Sequence, residues 1–232
     1  MAQKINPISF RLGVTQVWDS TLQIYGKSFN IYSLILHKQL QIQRFLIRYF
    51  LLNDFLLNYQ EWKIYQNKIF LNVYYSSFIH SKKTYNLKFL KYLSKILNKY
   101  IFSKFFIRFY LRPQWSLAPD LLILYTQHLL DKKIAPKKVI LNLCKLLNFC
   151  LNSTRISYFK FGLLESKLAG FKIRLAGRVD STNQMAKSFE QTIGCLSLTN
   201  LNSFVEYSSK EIYTKSGICG IQVWLFYNIK KN

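Results

Sequence analysis

The residues of this sequence that are best suited to chemistry are adjacent pairs of lysines. An ammonium group on a flexible side chain donates to phosphate oxygens, and several such groups together bind a polyanion in a salt-dependent way. One pair alone would indicate an ordinary solvated surface, whereas repeated pairs favour contact with nucleic-acid phosphates. Three of these pairs are Lys82-Lys83, Lys132-Lys133 and Lys137-Lys138.

Catalytic chemistry has little support in the sequence. It contains no G-x-S-x-G motif, its three histidines have no convincing partners, and its ten acidic residues are scattered singly rather than clustered as a metal-dependent nuclease needs. The four cysteines form no C-x-x-C pair and show no zinc spacing. The one G-x-x-G, Gly217–Gly220, has apolar inner residues and predicts a glycine turn before a strand. We therefore expect no enzyme, metal or cofactor.

The composition indicates a folded protein with a polyanionic partner. The 232 residues include 33 Lys and Arg against 10 Asp and Glu, for a net charge of +23. This is far above the magnitude of roughly 2–8 typical of a small soluble domain. Half of the residues are apolar and 17% are aromatic, which is enough to form a core. Nucleic acid is the first candidate partner and an anionic membrane surface the second, and no segment predicts a membrane span.

The hydrophobic patterns predict an α+β fold in both halves of the chain. We place the domain boundary at the turn-rich joint Arg112/Pro113, giving domains 1–112 and 113–232. In the first half, leucines and lysines at helical spacing occupy opposite faces of one helix. The expected order there is a polar arm (2–13), a helix (30–57), a strand (68–75), a basic loop (81–84), a helix (84–101) and a strand (105–111).

The second half is expected to open with two helices and continue mainly with strands. Within strand 171–179, Phe171, Ile173 and Leu175 alternate with Lys172 and Arg174, and Arg178 follows on the basic side. This basic face predicts either a solvated edge or a sheet that faces RNA. The other expected elements are helices at 119–131, 136–151 and 182–191, the last capped by Asp180 or Ser181, and strands at 196–207 and 221–227.

Three separate segments carry a family resemblance. Residues 2–13 read Ala-Gln-Lys-Ile-Asn-Pro-Ile-Ser-Phe-Arg-Leu-Gly, and residues 170–178 read Gly-Phe-Lys-Ile-Arg-Leu-Ala-Gly-Arg. Residues 213–226 read Tyr-Thr-Lys-Ser-Gly-Ile-Cys-Gly-Ile-Gln-Val-Trp-Leu-Phe. In order and spacing these segments resemble the opening, an interior strand and the closing strand of the small-subunit ribosomal protein three family, across the whole chain.

The resemblance implies a type II KH-like domain followed by a C-terminal α+β domain with a mixed sheet packed by helices. The KH clamp of the family reads Gly-Lys-Lys-Gly, and Ser81-Lys82-Lys83-Thr84 stands in its place. The clamp loop is therefore degenerate, because without glycine the backbone approaches phosphates less closely. Its two lysines are still expected to meet rRNA phosphates or neighbouring proteins.

The resemblance also implies a position in the head of the small ribosomal subunit. Residues 131–138 resemble the family segment that lines the channel through which mRNA enters, and Lys187 falls on a basic position of another family segment, here 185–188. The implied partners are small-subunit rRNA, mRNA at the entrance channel, ribosomal proteins two, ten and fourteen, and proteins four and five near the channel. The expected RNA-binding residues are Lys4, Asn6, Arg11, Lys82, Lys83, Lys132, Lys133, Lys137, Lys138, Arg174, Arg178 and Lys187.

We therefore predict a structural rRNA-binding protein of the small ribosomal subunit that acts electrostatically and sterically. Abundant Phe, Tyr, Ile, Asn and Lys, types with AT-rich codons, indicate an organellar genome. The degenerate clamp and an opening segment without targeting features favour a mitochondrion, with a plastid second and a reduced bacterium third. The alternatives are a basic nucleic-acid-cleaving enzyme and a peripheral membrane protein, for which helix 84–101 is the best candidate anchor.

Overall fold

The computed structural model describes most of the chain, and contacts divide it into two compact units. One unit joins Met1–Trp18 to Gln114–Asn232, and the other is Asp19–Pro113. The described residues are 5–17, 29–53, 55–64, 68–77, 87–100, 104–111, 115–159, 162–178, 185–214 and 217–229.

The described chain forms helices and strands in the following order. The elements are α1 (Pro7–Arg11), α2 (Phe29–Leu52), β1 (Phe55–Ile64), β2 (Lys68–Ser77), α3 (Leu87–Tyr100), β3 (Lys104–Leu111), a 3-10 turn (Trp115–Leu117), α4 (Pro119–Asp131), α5 (Pro136–Cys150), β4 (Thr154–Phe159), β5 (Gly162–Gly177), β6 (Lys187–Gly194), β7 (Phe204–Thr214) and β8 (Gly217–Ile229).

The unit of residues 19–113 places α2 and α3 against one face of a three-stranded sheet. β1 pairs antiparallel with β2, and β2 pairs parallel with β3, so this sheet is mixed. Alternate residues of the strands point inward, and helical residues four apart meet them. The core contains Ile42, Leu46 and Phe50 of α2, Leu93 and Leu97 of α3, and Leu71, Val73, Tyr75 and Phe105 of the strands.

The helix expected at 30–57 is too long, and the strand that follows it was not predicted. α2 ends at Leu52, where the side-chain amide of Asn53 donates to the Tyr49 carbonyl (2.8 Å). An asparagine side chain that donates to a backbone carbonyl in the last turn favours the end of a helix. The apolar residues continue without interruption into the buried start of β1, so the hydrophobic pattern does not show where the helix ends and the strand begins.

The other unit is built on a sheet that is antiparallel in every described pairing, in the order β4-β5-β8-β7 with β6 also on β5. The expectation of a mixed sheet here is wrong, and the mixed sheet belongs to residues 19–113. The reason is connectivity, because α4 and α5 precede all five strands instead of crossing between parallel ones. Both helices pack on one face, over Phe171, Ile173, Leu175, Val223 and Leu225.

The prediction of a helix at 182–191 is also wrong, because residues 187–194 form strand β6 beside β5. Phe189 and Ile193 pack toward the core at strand spacing. The proposed caps Asp180 and Ser181 lie outside the described residues. The strand expected at 196–207 begins only at Phe204, and β4 was not predicted.

An ion pair braces strands at the two ends of the β4-β5-β8-β7 order. Arg155 of β4 pairs with Glu206 of β7 and lies 5.0 Å from the ring centre of Tyr227. Burial is the strongest single influence and disfavours the charged guanidinium, but the Glu206 carboxylate and Tyr227 together outweigh it and raise the pKa of Arg155. The same guanidinium and the Tyr227 hydroxyl both donate to the Leu117 carbonyl, at 3.2 and 3.1 Å.

Among the described residues, no helix is long and apolar enough to cross a membrane. In the same part of the chain, no group of three or more His, Cys, Asp or Glu side chains could hold a metal ion.

We predict that the mixed-sheet unit depends on the buried stripe of α2. Leu46→Ala should lower the free energy of unfolding by about 2–5 kcal/mol, because the surrounding core only partly refills the cavity. The matched control is Leu52→Ala on the same helix, where the side chain is 83% exposed and the change should stay within about 0.5 kcal/mol. Denaturant titration of the full chain measures both, and equal losses would contradict the packing described.

Candidate nucleic-acid interface

The N-terminal arm forms one helical turn that inserts an arginine into the protein. The Asn6 side chain caps α1 by accepting from the Ile8 backbone amide (2.9 Å), and Pro7 occupies the first turn. This cap directs Arg11 inward, where the residue is completely buried. Burial lowers the pKa of the Arg11 guanidinium.

The Arg11 guanidinium binds the loop that precedes β7. It donates to the backbone carbonyls of Ser197, Leu198, Asn200 and Ser203 at 2.8–3.1 Å, and also to that of Pro7 (3.0 Å) within its own helix. Gln16 adds a bond from its side-chain amide to the Val205 carbonyl (2.6 Å). The arm therefore belongs to the unit of residues 114–232, and its assignment to the 1–112 domain is corrected.

This geometry also corrects the expected role of Arg11. A guanidinium enclosed by protein carbonyls does not reach an RNA phosphate, so Arg11 is a structural residue. Asn6 is exposed, but its side-chain oxygen serves the helix cap. Lys4, Lys82 and Lys83, and with them the degenerate clamp loop, lie outside the described residues.

The four lysines around the start of α5 are exposed. Lys132 and Lys133 form the turn after α4, and Lys133 adopts a left-handed φ of 58° while its amide donates to the Leu130 carbonyl (2.8 Å). Pro136 begins α5, so Lys137 and Lys138 lie in its first turn, where no acidic residue occurs. Two cations at the positive end of a helix dipole destabilise the helix, and a bound anion would offset this.

β6 packs beside α5 and brings a further lysine to this place. The Lys137 ammonium lies 5.8 Å from the ring centre of Phe189, and the Cys144 thiol donates to the Gln191 side chain (3.0 Å). Lys187 lies two residues before Phe189 and therefore on the same face of β6. Lys137, Lys138 and Lys187 together form what we call the α5–β6 edge.

The basic side of β5 is not uniform. Arg174 is exposed, but Lys172 is buried, pairs with Glu190 and lies 5.5 Å from the ring centre of Trp224. Arg174 alternates with inward-facing Ile173 and Leu175 and lies on the sheet face opposite the helices, whereas Arg178 follows the end of β5. The structure therefore separates Arg174 from the α5–β6 edge.

At two positions of segment 170–178, packing against neighbouring backbone requires glycine. A Cβ on Gly170 would lie 2.6 Å from the Cys195 carbonyl oxygen, and one on Gly177 would collide with the Ile218 carbonyl. Gly177 also has a φ of 137°, in the region that favours glycine. Both residues allow β5 to approach its neighbours closely, which holds the basic residues of β5 and β6 at their positions.

Comparison with known proteins decides the family. Residues 159–225 match the family described as Ribosomal protein S3, C-terminal domain. The whole chain is 58% identical over 231 residues to Small ribosomal subunit protein uS3m of Chondrus crispus, covering 100% of this chain and 96% of that protein. The chain belongs to the uS3 family of ribosomal proteins. The resemblance to ribosomal protein three is confirmed, and with it the expectation of a non-enzymatic protein.

Bacterial uS3 proteins align over nearly the same length. The Small ribosomal subunit protein uS3 of Geobacter sulfurreducens is 29% identical over 231 residues, and that of Citrifermentans bemidjiense is 27% identical over 229 residues. Each alignment covers 97% of this chain and 96% of the relative. The much higher identity to uS3m marks this chain as a mitochondrial member of the uS3 family.

We predict that Arg11 matters for stability and Arg174 does not. Arg11→Met should lower the free energy of unfolding by at least about 3 kcal/mol, because several buried carbonyls lose their donor at about 1–3 kcal/mol each. Arg174→Met removes an exposed guanidinium and should change it by less than about 0.5 kcal/mol. Chemical denaturation of the full chain measures both changes, and a mild effect of Arg11→Met would place its guanidinium in solvent.

Proposed function

We propose that this uS3 protein is a structural constituent of the mitochondrial small ribosomal subunit that binds rRNA and helps to form the mRNA entrance channel. The observation that carries the channel role is the α5–β6 edge. Lys137 and Lys138 lie exposed in the first turn of a helix that has no acidic residue there, and exposed Lys187 lies on the adjoining strand β6. That arrangement favours phosphate by point charge and helix dipole together.

The proposed channel contact is electrostatic and independent of base sequence. Lysine ammonium groups give point charges without the bidentate fork of arginine, so they hold phosphates without fixing their orientation. A moving mRNA strand needs contacts of this kind, because each new phosphate must replace the last one. The turn lysines Lys132 and Lys133 and the arginines Arg174 and Arg178 are proposed as further rRNA contacts.

The unit of residues 19–113 is proposed to be KH-like, with Lys82 and Lys83 as contacts to rRNA or to neighbouring proteins. Its support is the order helix, two strands, helix and strand around a mixed sheet. The proposed protein neighbours are small-subunit proteins two, ten and fourteen, with proteins four and five near the channel.

We predict that the double variant Lys137→Ala, Lys138→Ala slows translation of hairpin-containing mRNAs while small subunits still assemble. The affinity for single-stranded mRNA should fall, and its logarithmic salt dependence should flatten by about 1.4, since each lost phosphate contact on a single strand contributes about 0.7. Purified small subunits carrying the variant are compared with wild type on structured and unstructured messages.

The matched control is Lys145→Ala, an exposed lysine two turns further along α5. It should translate hairpin messages at the wild-type rate. Unchanged translation of hairpin messages by the double variant would reject the channel role, and so would an equal loss in the control.

A further inference from the structure

The mixed sheet of residues 19–113 has a second face that the helices do not cover. Successive residues of a strand point to opposite faces, and the odd-numbered residues Leu71, Val73 and Phe105 are buried beneath α2 and α3. On β3, the even-numbered residues Phe106 (45%), Arg108 and Tyr110 (39%) are exposed. Two large rings with an arginine between them therefore face solvent along one strand.

These two rings are held by stacking partners on the neighbouring strand. Phe106 stacks on Phe70 with ring centres 5.1 Å apart and an interplanar angle of 16°. Tyr110 stacks on Tyr74 at 5.2 Å and 20°. Because β3 is an edge of this sheet, one face of each β3 ring contacts its partner and the opposite face is directed away from the sheet. Each pair thus presents a fixed aromatic surface at the edge.

The side chains along β3 alternate between aromatic ring, positive charge and aromatic ring. This order matches the order base, phosphate, base in a single strand of nucleic acid. Phe106 and Tyr110 are four residues apart, about 13 Å along an extended strand, and Arg108 lies midway between them on the same face. Among the described residues of β1–β3, the one carboxylate is Glu61, which is already paired with Lys63 (3.0 Å) and accepts from the Asn72 amide (2.9 Å). Lys68 adds an exposed positive charge at the start of β2.

We propose that the β3 edge, Phe106, Arg108 and Tyr110, binds single-stranded RNA, with an unpaired base stacked on each outer ring face and a phosphate on Arg108. Base–aromatic stacking tolerates any base and combines with basic side chains in single-strand binding proteins. An apolar protein surface fits less well, because it would bury the Arg108 guanidinium without a counter-charge. This site consists of different residues from those of the α5–β6 edge and from the lysine pair Lys82-Lys83.

The test uses the full-length protein, free of nucleic acid, and a twelve-nucleotide oligouridine RNA with one central 2-aminopurine, whose fluorescence is quenched by stacking. The titration is run at high salt, where purely electrostatic contacts weaken. Wild type should quench the probe. The variant Phe106→Leu, Tyr110→Leu keeps apolar side chains but removes both rings, and it should lose the quenching and at least about fivefold in affinity.

The controls separate stacking from general RNA binding. Tyr213→Leu removes an aromatic residue that is 73% exposed in the other unit and should quench as wild type does. Lys137→Ala, Lys138→Ala should also keep the quenching, so this proposal and the channel proposal fail independently. Equal quenching by wild type and by the double ring variant would overturn the stacking site.

A second measurement places the site in the assembled particle. Ultraviolet cross-linking of purified small subunits, followed by nuclease and trypsin digestion, should yield a nucleotide adduct on the peptide Phe105–Arg108. If that peptide carries no nucleotide while other peptides of this protein do, the edge does not contact RNA in the particle and the proposal is wrong.

Discussion

Positive charge without an internal counter-charge is the constraint on which this structure depends. With 33 basic and 10 acidic residues, at least 23 basic groups lack a carboxylate even if every acid forms one pair. The acids are partly committed already, since Glu61, Glu190 and Glu206 each hold a basic side chain of the same unit. Self-repulsion of this size destabilises a compact free chain, and a polyanion relieves it. The assembled ribosome supplies that polyanion as RNA.

The fold meets this constraint by separating two kinds of basic residue. Arg11 points inward and donates to backbone carbonyls, which joins the arm to the loop before β7. Arg155 pairs with the Glu206 carboxylate and so joins strand β4 to strand β7. The lysines of the α5–β6 edge are exposed, and one is placed by contact with Phe189. Interior arginines thus hold protein segments together, while the exposed lysines keep their charge at the surface. Arginine suits the interior because its planar fork reaches several acceptors at once.

The local spacing of apolar residues was enough to predict the helices α4 and α5. It failed for strand β6, whose structure depends on pairing with a neighbouring strand. α4 and α5 follow directly from Pro119 and Pro136 and the apolar spacing after them. Residues 187–191 have good helix formers, yet they form β6 because β5 offers an open edge and Phe189 and Ile193 reach the core at a period of two. Strand formation depends on such neighbours more than on intrinsic preference.

The site was predictable only in part, for a related reason. The lysine pairs at α5 are visible in sequence because charge and helix start are local features. The inward path of Arg11 is not, because its acceptors lie about 190 residues away along the chain. A basic residue in a polar arm gives no local signal that separates a buried anchor from a phosphate ligand. The same holds for Lys172, whose burial depends on Glu190 and Trp224.

The most direct test of the central claim is the state of the native protein in its own compartment. Mitochondria that express this protein are lysed, and the lysate is sedimented through gradients of increasing salt while the chain and small-subunit rRNA are followed together. Our account predicts that the chain travels with the small subunit and stays with it after salt has removed loosely bound proteins. A soluble monomeric pool without RNA, holding most of the chain, would contradict the account.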